Sequence, residues 1–326
     1  MKKNVAVICG GYTAERNISL ASGDVVCRNI DATVYNIYKV VVDTDGCFVE
    51  PGHILVNLSD FSCIQNEVHV KFDVVFNAIH GSPGEDGRIQ GYFDMLKIPY
   101  NNCGAATSAL TFNKSWTKRV LADEVFMAKG KLIKKADAAL DADLNAITSD
   151  FQLPLFVKPN NNGSSYGISK IKDFTALKNA VLEALKFDDE VLVEEGVTGL
   201  EVTCGVYRYK SETIVLPICE IVAGKHDFFD YTAKYVAGES DEIIPARISD
   251  AVADKVGATS AKVYALLNCK GVVRIDYIIQ ENTPYFLEVN TVPGLSEASI
   301  VPKMAKASGL TLSAFFGRLL EEAKAG

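Results

Sequence analysis

Two strand-like runs near the carboxyl end, VVRIDYII at 272–279 and FLEVN at 286–290, set the strongest demand on the fold. Side chains alternate along a strand, so Arg274 and Asp276 share one face of the first run and Glu288 and Asn290 one face of the second. The intervening QENTP is turn chemistry, which predicts an antiparallel hairpin. With Asn282 at its centre, Asp276 falls opposite Glu288, Arg274 opposite Asn290, and Tyr277 and Ile275 oppose Leu287 and Val289. One face is then a polar quartet and the other belongs to a core. Two carboxylates directly across a ladder stand about 5 Å apart and repel, by roughly 3 kcal/mol at an effective dielectric near 20. That is a large fraction of a stability of about 5–15 kcal/mol. Two arrangements remove the penalty. A divalent cation can take the Asp and Glu oxygens and the Asn carbonyl, a hard set that suits magnesium with phosphate as the remaining ligand. Alternatively, Arg274 bridges both acids on a solvated face. The strands alone do not choose.

The 326 residues, 48% of them hydrophobic, can bury a large core and are enough for two or three domains. A formal charge of -8 and a pI near 5.2 argue against a general polyanion binder, so neither nucleic acid nor an anionic membrane is an expected partner. The start MKKNVAVICGG imitates a signal peptide, but its apolar run stops at two glycines, and no later window reaches spanning length. A soluble cytoplasmic protein is expected. Its eight cysteines show no C-x-x-C and no zinc spacing, which suits buried free thiols in a reducing compartment.

Over the first hundred residues short β-rich runs (NVAVIC, VYNIYKVVVD, DVVFNAI, IPYN) alternate with helical stretches (ERNISLASGDVVCRNI, DGRIQGYFDMLK). That predicts a parallel α/β domain over 1–102. From 103 to 193 a helical region, SALTFNKSWTKRVLADE, precedes a strand pair around LFVKPNNNGSSYGISKI. A further helix follows, with Phe174, Leu177, Val181, Leu182 and Leu185 on one face behind Asp173 as N-cap. The last unit, 194–326, is read as long strands, an extended loop over 223–247 and two terminal helices. A loop of that length often serves as a lid, and Lys234 and Tyr235 on it could close over an anion.

No Walker motif or dinucleotide fingerprint occurs. The best phosphate candidate is VKPNNNGSSYG, 157–167, where Lys158 ends a strand and Gly163, Ser164, Ser165 and Gly167 form a small-residue loop. Backbone N–H groups can approach an anion closely there, although a plain hairpin turn uses the same residues. HGSPGEDGRIQG, 80–91, follows a predicted strand, where parallel sheets bind ligands. His80 and Glu15 sit at such strand ends, as ligand contacts or as structural caps.

Six motifs, GGYTAERNISLASG, HGSPGEDGRIQG, VKPNNNGSSYG, DYTAKY, RIDY and FLEVNTVPGL, stand in the order and approximate spacing of the D-alanine:D-alanine ligases. The chain resembles these ATP-grasp enzymes from its first strand to its last helix. The resemblance implies α/β and α+β architecture, an ATP-grasp fold of three domains, and ATP held between 103–193 and 194–326. It implies that Lys114 and Lys158 contact ATP phosphates, that Ser165 also belongs to the ATP-binding set, that Glu194, Glu195 and Val197 lie along the adenine, and that Glu201 takes the ribose. Asp276, Glu288 and Asn290 match magnesium ligands, with manganese as a substitute. Glu15, Ser164 and Tyr235 match a hydrogen-bonded set, Arg274 an oxyanion donor, and His80 a first-subsite residue. Lys234, Gly294 and Ser299 resemble groups around the second substrate. The family couples two D-alanines through an acyl phosphate for peptidoglycan precursor synthesis. D-Lactate or D-serine is the alternative acceptor, and a tyrosine at 235 goes with an amine. A cytoplasmic homodimer is expected. Four positions depart from the family pattern: Asn113 replaces an Asp, Leu295-Ser296 replace Met-Thr, and Gly196 replaces a bulkier residue.

Overall fold

A computed structural model describes residues 2–135, 140–161, 163, 167–222 and 241–325. The chain opens with β1 (Lys3–Gly10), the helix Arg16–Asn29 and β2 (Tyr35–Asp43). β3 (Gly46–Glu50) and β4 (Ile54–Leu55) follow, then a separate hairpin of β5 (Ser62–Gln65) and β6 (Val68–Lys71), and then β7 (Val74–Asn77). The first sheet has the order β4-β3-β2-β1-β7. β1 is parallel to both β2 and β7, and its VAVIC run is fully buried, as expected for a strand covered on both faces. The expected all-parallel sheet is corrected at its edge, where β2, β3 and β4 pair antiparallel. Only Thr44 and Asp45 join β2 to β3, and so short a link permits a hairpin but not a parallel crossover. IPYN contributes a single bridge, Val75 to Tyr100, rather than a strand.

The expected helical region beyond residue 103 divides at Asn113 into Ala105–Phe112 and Lys114–Val120. Asn113 is extended (φ -90, ψ 104), and its side chain accepts from Trp116 N at 2.9 Å, an N-cap that restarts the helix. The second sheet is antiparallel, in the order β10-β9-β11-β8, from β8 (Gly130–Lys134), β9 (Leu155–Pro159), β10 (Ser169–Ile171) and β11 (Glu190–Glu195). The helix behind it runs Leu177–Ala184 and buries Leu177, Ala180, Val181 and Ala184. Leu182, expected on that face, is 44% exposed, because Ala180 and Ala184 complete the buried i, i+3, i+4 stripe with Leu177 and Val181 and leave position 182 off it. Asp173 caps a preceding 3-10 turn, accepting from Thr175 N at 2.8 Å.

The third sheet contains β12 (Leu200–Tyr209), β13 (Glu212–Val215), β14 (Cys219–Val222), β15 (Asp241–Ile243), β16 (Val272–Gln280) and β17 (Thr283–Asn290). A helix that the sequence reading lacked, Asp250–Leu266, covers one face of this sheet through Val252, Val256 and Val263. Two helices, Ile300–Ala307 and Leu312–Ala325, close the chain. Phe315, Phe316, Leu319 and Leu320 of the last helix share one core with Val5, Val7 and Phe76 of the first sheet. All eight cysteines are free thiols, and seven are buried.

Candidate active site

β16 and β17 form the expected hairpin, with Asp276 opposite Glu288, Arg274 opposite Asn290 and Ile275 opposite Val289. Two details differ from the simple ladder. The turn is centred between Glu281 and Asn282, both at positive φ (48 and 64), rather than on Asn282. A bulge then restores the register, so that Tyr277 faces Phe286 and Leu287 becomes the extra residue. Leu287, expected in the core, instead lines a cavity beside Glu288, while Phe286 and Val289 are buried behind them.

The polar face is densely bonded. Arg274 donates from Nε to Asp276 Oδ1 at 2.9 Å and from its terminal nitrogen to Oδ2 at 2.8 Å. Thr203 donates to Oδ1 at 2.5 Å and Asn290 Nδ2 to Oδ2 at 3.2 Å. Lys114 reaches Glu288 at 3.6 Å. Protein cations thus offset the repulsion across the ladder. Arg274 pairs with Asp276 and Lys114 with Glu288, so one guanidinium does not serve both acids. Among the described residues no cluster of three His, Cys, Asp or Glu gathers. The donor set on this face is two carboxylates and the Asn290 amide oxygen, hard oxygen ligands that fit magnesium.

A cavity of about 130 Å³ opens on one side of the ladder. Lys114, Lys158, Glu194, Glu195, Val197 and Glu201 all line it, beside Asp276 and Glu288. Glu194, 4% exposed, is held between the ammonium groups of Lys118 and Lys158. Lys118 escaped the sequence reading; it lies one helical turn beyond Lys114 and so shares its face. Glu195 accepts from Gln152 N at 2.8 Å, and Gly196 N donates to Pro154 O at 2.7 Å, pinning the segment. A Cβ at Gly196 would meet Pro154 O at 2.9 Å, which accounts for the departure at that position.

A second cavity, about 400 Å³, adjoins the other end of the quartet and is lined by Glu15, His80, Arg274, Asn290, Gly294 and Ser299. His80 is 4% exposed, and burial holds its imidazole below the ordinary range. The neutral ring donates from Nδ1 to Val292 O at 2.8 Å and accepts at Nε2 from Ser22 at 3.0 Å, tying the first sheet to the 292–295 turn. Glu15 stands at a helix start without capping it. Its carboxylate lies against two glycines: a Cβ at Gly81 would be 3.0 Å, and one at Gly163 3.1 Å, from Oε2. Gly163 of the phosphate-candidate segment therefore sits directly beside Glu15. Ser299 and Ser296 share a 2.8 Å hydroxyl contact, and a Cβ at Gly294 would be 2.7 Å from Ser299 Oγ. Ser164, Ser165, Lys234 and Tyr235 lie outside the described residues.

Glu85, quoted within HGSPGEDG but not singled out, also lines this cavity. Desolvation, reinforced by the Glu15 charge, pushes its carboxyl up to about 8 against the pull of the Gly81 N–H on Oε2 at 3.1 Å. Glu85 and Asn290 also line a small connecting cavity with Lys114 and Glu288, so the two chambers meet across the ladder.

Family models described as D-ala D-ala ligase N-terminus and D-ala D-ala ligase C-terminus match residues 4–103 and 124–321. A D-alanine--D-alanine ligase of Flavobacterium johnsoniae is 44% identical, covering 98% of each chain. One of Parabacteroides distasonis is 39% identical, covering 99% of this chain and 98% of the relative. Among solved structures, the VanG D-Ala:D-Ser ligase of Enterococcus faecalis superposes with a TM-score of 0.87 at 30% identity, covering 99% of this chain and 100% of that one. The D-alanine--D-alanine ligase of Bacillus anthracis gives 0.81 at 28%, covering 98% and 97%. With matching models over both halves and full-length relatives above 30% identity, the chain belongs to the D-alanine–D-alanine ligase family.

Proposed function

We propose that the chain joins two D-alanine molecules into D-alanyl-D-alanine with cleavage of ATP, a step that supplies peptidoglycan precursors in the cytoplasm. The observation that carries this reading is the ladder pair Asp276 and Glu288, two carboxylates facing each other where a lysine-lined chamber meets a chamber holding Arg274 and Glu15. The first chamber suits a nucleotide: Lys114 and Lys158 bind its phosphates, Val197 and Leu287 flank the base, and Glu201 takes the ribose. The second suits two small amino acids. The names of the relatives at 39–44% identity support the same substrates.

A carboxylate and an amine do not condense in water, because oxide is a poor leaving group and ammonium is no nucleophile. In the proposed reaction the first D-alanine carboxylate attacks the γ-phosphorus of ATP, and ADP leaves. The free amine of the second D-alanine then attacks the acyl phosphate carbon, and phosphate leaves. Asp276, Glu288 and Asn290 would hold magnesium, or manganese in its place, which spreads charge over the transferring phosphoryl group. Arg274 donates to the oxyanion, a role in which one donor is worth about 3–4 kcal/mol. Glu15 holds the first ammonium, and the His80 clamp fixes the wall behind it. Gly294 and Ser299 receive the second substrate. Lys234, Tyr235, Ser164 and Ser165 are assigned by resemblance to the lid and phosphate loop, which exclude water from the acyl phosphate. The division at 102 and 193 into three domains and a homodimeric assembly belong to the same proposal.

Phosphate release from ATP with a panel of D-alanine, D-serine, D-lactate and L-alanine tests the reading. D-Alanine alone should give the fastest release, with one D-alanyl-D-alanine formed per ADP. Release that requires D-lactate or D-serine would transfer the reading to the alternative acceptor.

A further inference from the structure

The helix Lys114–Val120 sends two lysines from one face to two different sheets. Lys114 reaches Glu288 of β17, in the third sheet, and Lys118 reaches Glu194 of β11, in the second. Glu194 is also paired with Lys158 of β9. The register explains that contact. Leu192 stands opposite Lys158 and Glu194 opposite Phe156, so Glu194 is the diagonal neighbour of Lys158 on one face of the sheet, within reach of a long side chain. Across the other ladder Glu194 faces Gly130, where a Cβ would stand 3.3 Å from Glu194 Cγ, so the lack of a side chain there leaves room for the glutamate. Lys118 Nζ also donates to Ala128 O at 3.2 Å, two residues before that glycine.

All three charged groups are withdrawn from water: the side chains of Lys118 and Lys158 are 11% and 14% exposed, and that of Glu194 6%. One buried carboxylate therefore serves two ammonium groups. Desolvation, with the Lys158 charge beside it, pulls the Lys118 ammonium down to about 7. The Glu194 carboxylate opposes that pull, because an opposite charge in contact favours the charged form. Sharing has a consequence for Lys158, which lines the proposed nucleotide chamber and matches a phosphate-binding lysine. A buried carboxylate with a single ammonium partner holds it firmly, since parting them leaves an uncompensated charge. With Lys118 on the same carboxylate, Lys158 can part from Glu194 toward a phosphate while Glu194 keeps a counter-ion. Lys118 is not among the residues that line the chamber, so its effect on a nucleotide runs through Glu194.

We infer that Lys118 is a positioning residue for the nucleotide: it shares the Glu194 carboxylate and so allows Lys158 to turn to the phosphates. This rests on the reading that the chamber takes ATP. Equilibrium titration of the full chain with magnesium ADP and with adenosine tests it, and the readout does not depend on turnover. Lys118→Met should weaken ADP binding about tenfold and leave adenosine binding within about twofold of the wild type, the split expected when only the phosphate contact of Lys158 is affected. In a Glu194→Gln background the same substitution should have no further effect on ADP, because no carboxylate remains to capture Lys158. Circular dichroism checks that each variant is folded, and Lys118→Gln, which keeps a donor for Ala128 O, replaces Lys118→Met if that variant is not. The inference falls if ADP binding is unchanged, if ADP and adenosine weaken alike, or if Lys118→Met weakens ADP binding as much in the Glu194→Gln background as in the wild type. A wild type that binds ADP no more tightly than adenosine contradicts the nucleotide reading itself, and the inference with it.

Discussion

Glu85 is the residue at which local chemistry departs furthest from the ordinary carboxylic acid. Its carboxyl is pushed from 4.5 to about 8 by desolvation and the neighbouring Glu15. The folded state therefore keeps a proton that the unfolded chain releases. Protons favour folding below 4.5, and the advantage falls as pH rises toward 8. Glu85→Gln removes this slope: its melting temperature should change less between pH 5 and pH 8 than that of the wild type, and parallel profiles would remove the titration from Glu85. The motif around Glu85 was legible in the sequence, but its altered acidity was not. That depends on desolvation and on Glu15 arriving from another turn, which spacing along one chain does not display.

The hairpin shows how far alternation reaches at the scale of an element. Period-two patterning was enough to place Asp276 opposite Glu288 and Arg274 opposite Asn290, because each strand carries its polar side chains on one face. It missed the bulge at Leu287, since one extra residue in an apolar strand leaves the composition unchanged. The bulge gives a sharp prediction. Deleting Leu287 leaves Glu288 next to Phe286 and still opposite Asp276, so the carboxylate pair and the fold survive while the apolar flank of the proposed nucleotide chamber is lost. A leucine side chain buried by a ligand contributes about 1.5–3 kcal/mol. Nucleotide affinity in equilibrium titration should thus fall by about tenfold or more, with the circular dichroism spectrum retained. Unchanged affinity would remove Leu287 from the nucleotide site. The helix Asp250–Leu266 went unread for a different reason: its apolar residues are interspersed with Gly257, Ala and Ser, which weakens the periodic signal.

Across the whole molecule, the last helix packs into the core of the first sheet, so the two ends of the chain are one unit of packing. Phe316 is fully buried and meets Phe76 edge-on, with ring centroids 5.6 Å apart. Phe316→Ala should cost about 3–5 kcal/mol and shift both ends of the chain together in denaturant unfolding. Separate transitions for the first sheet and the last helix would contradict a shared core. The motif order made the family legible, whereas packing of the chain's ends depends on side chains more than 230 positions apart. The central claim is that the ladder face binds the nucleotide's metal ion, and manganese binding followed by electron paramagnetic resonance in the presence of ADP tests it most directly. The wild-type chain should bind the ion in a nucleotide-dependent way, with affinity lowered at least about tenfold in Asp276→Asn and in Glu288→Gln. Equal manganese affinity in all three proteins would contradict the account.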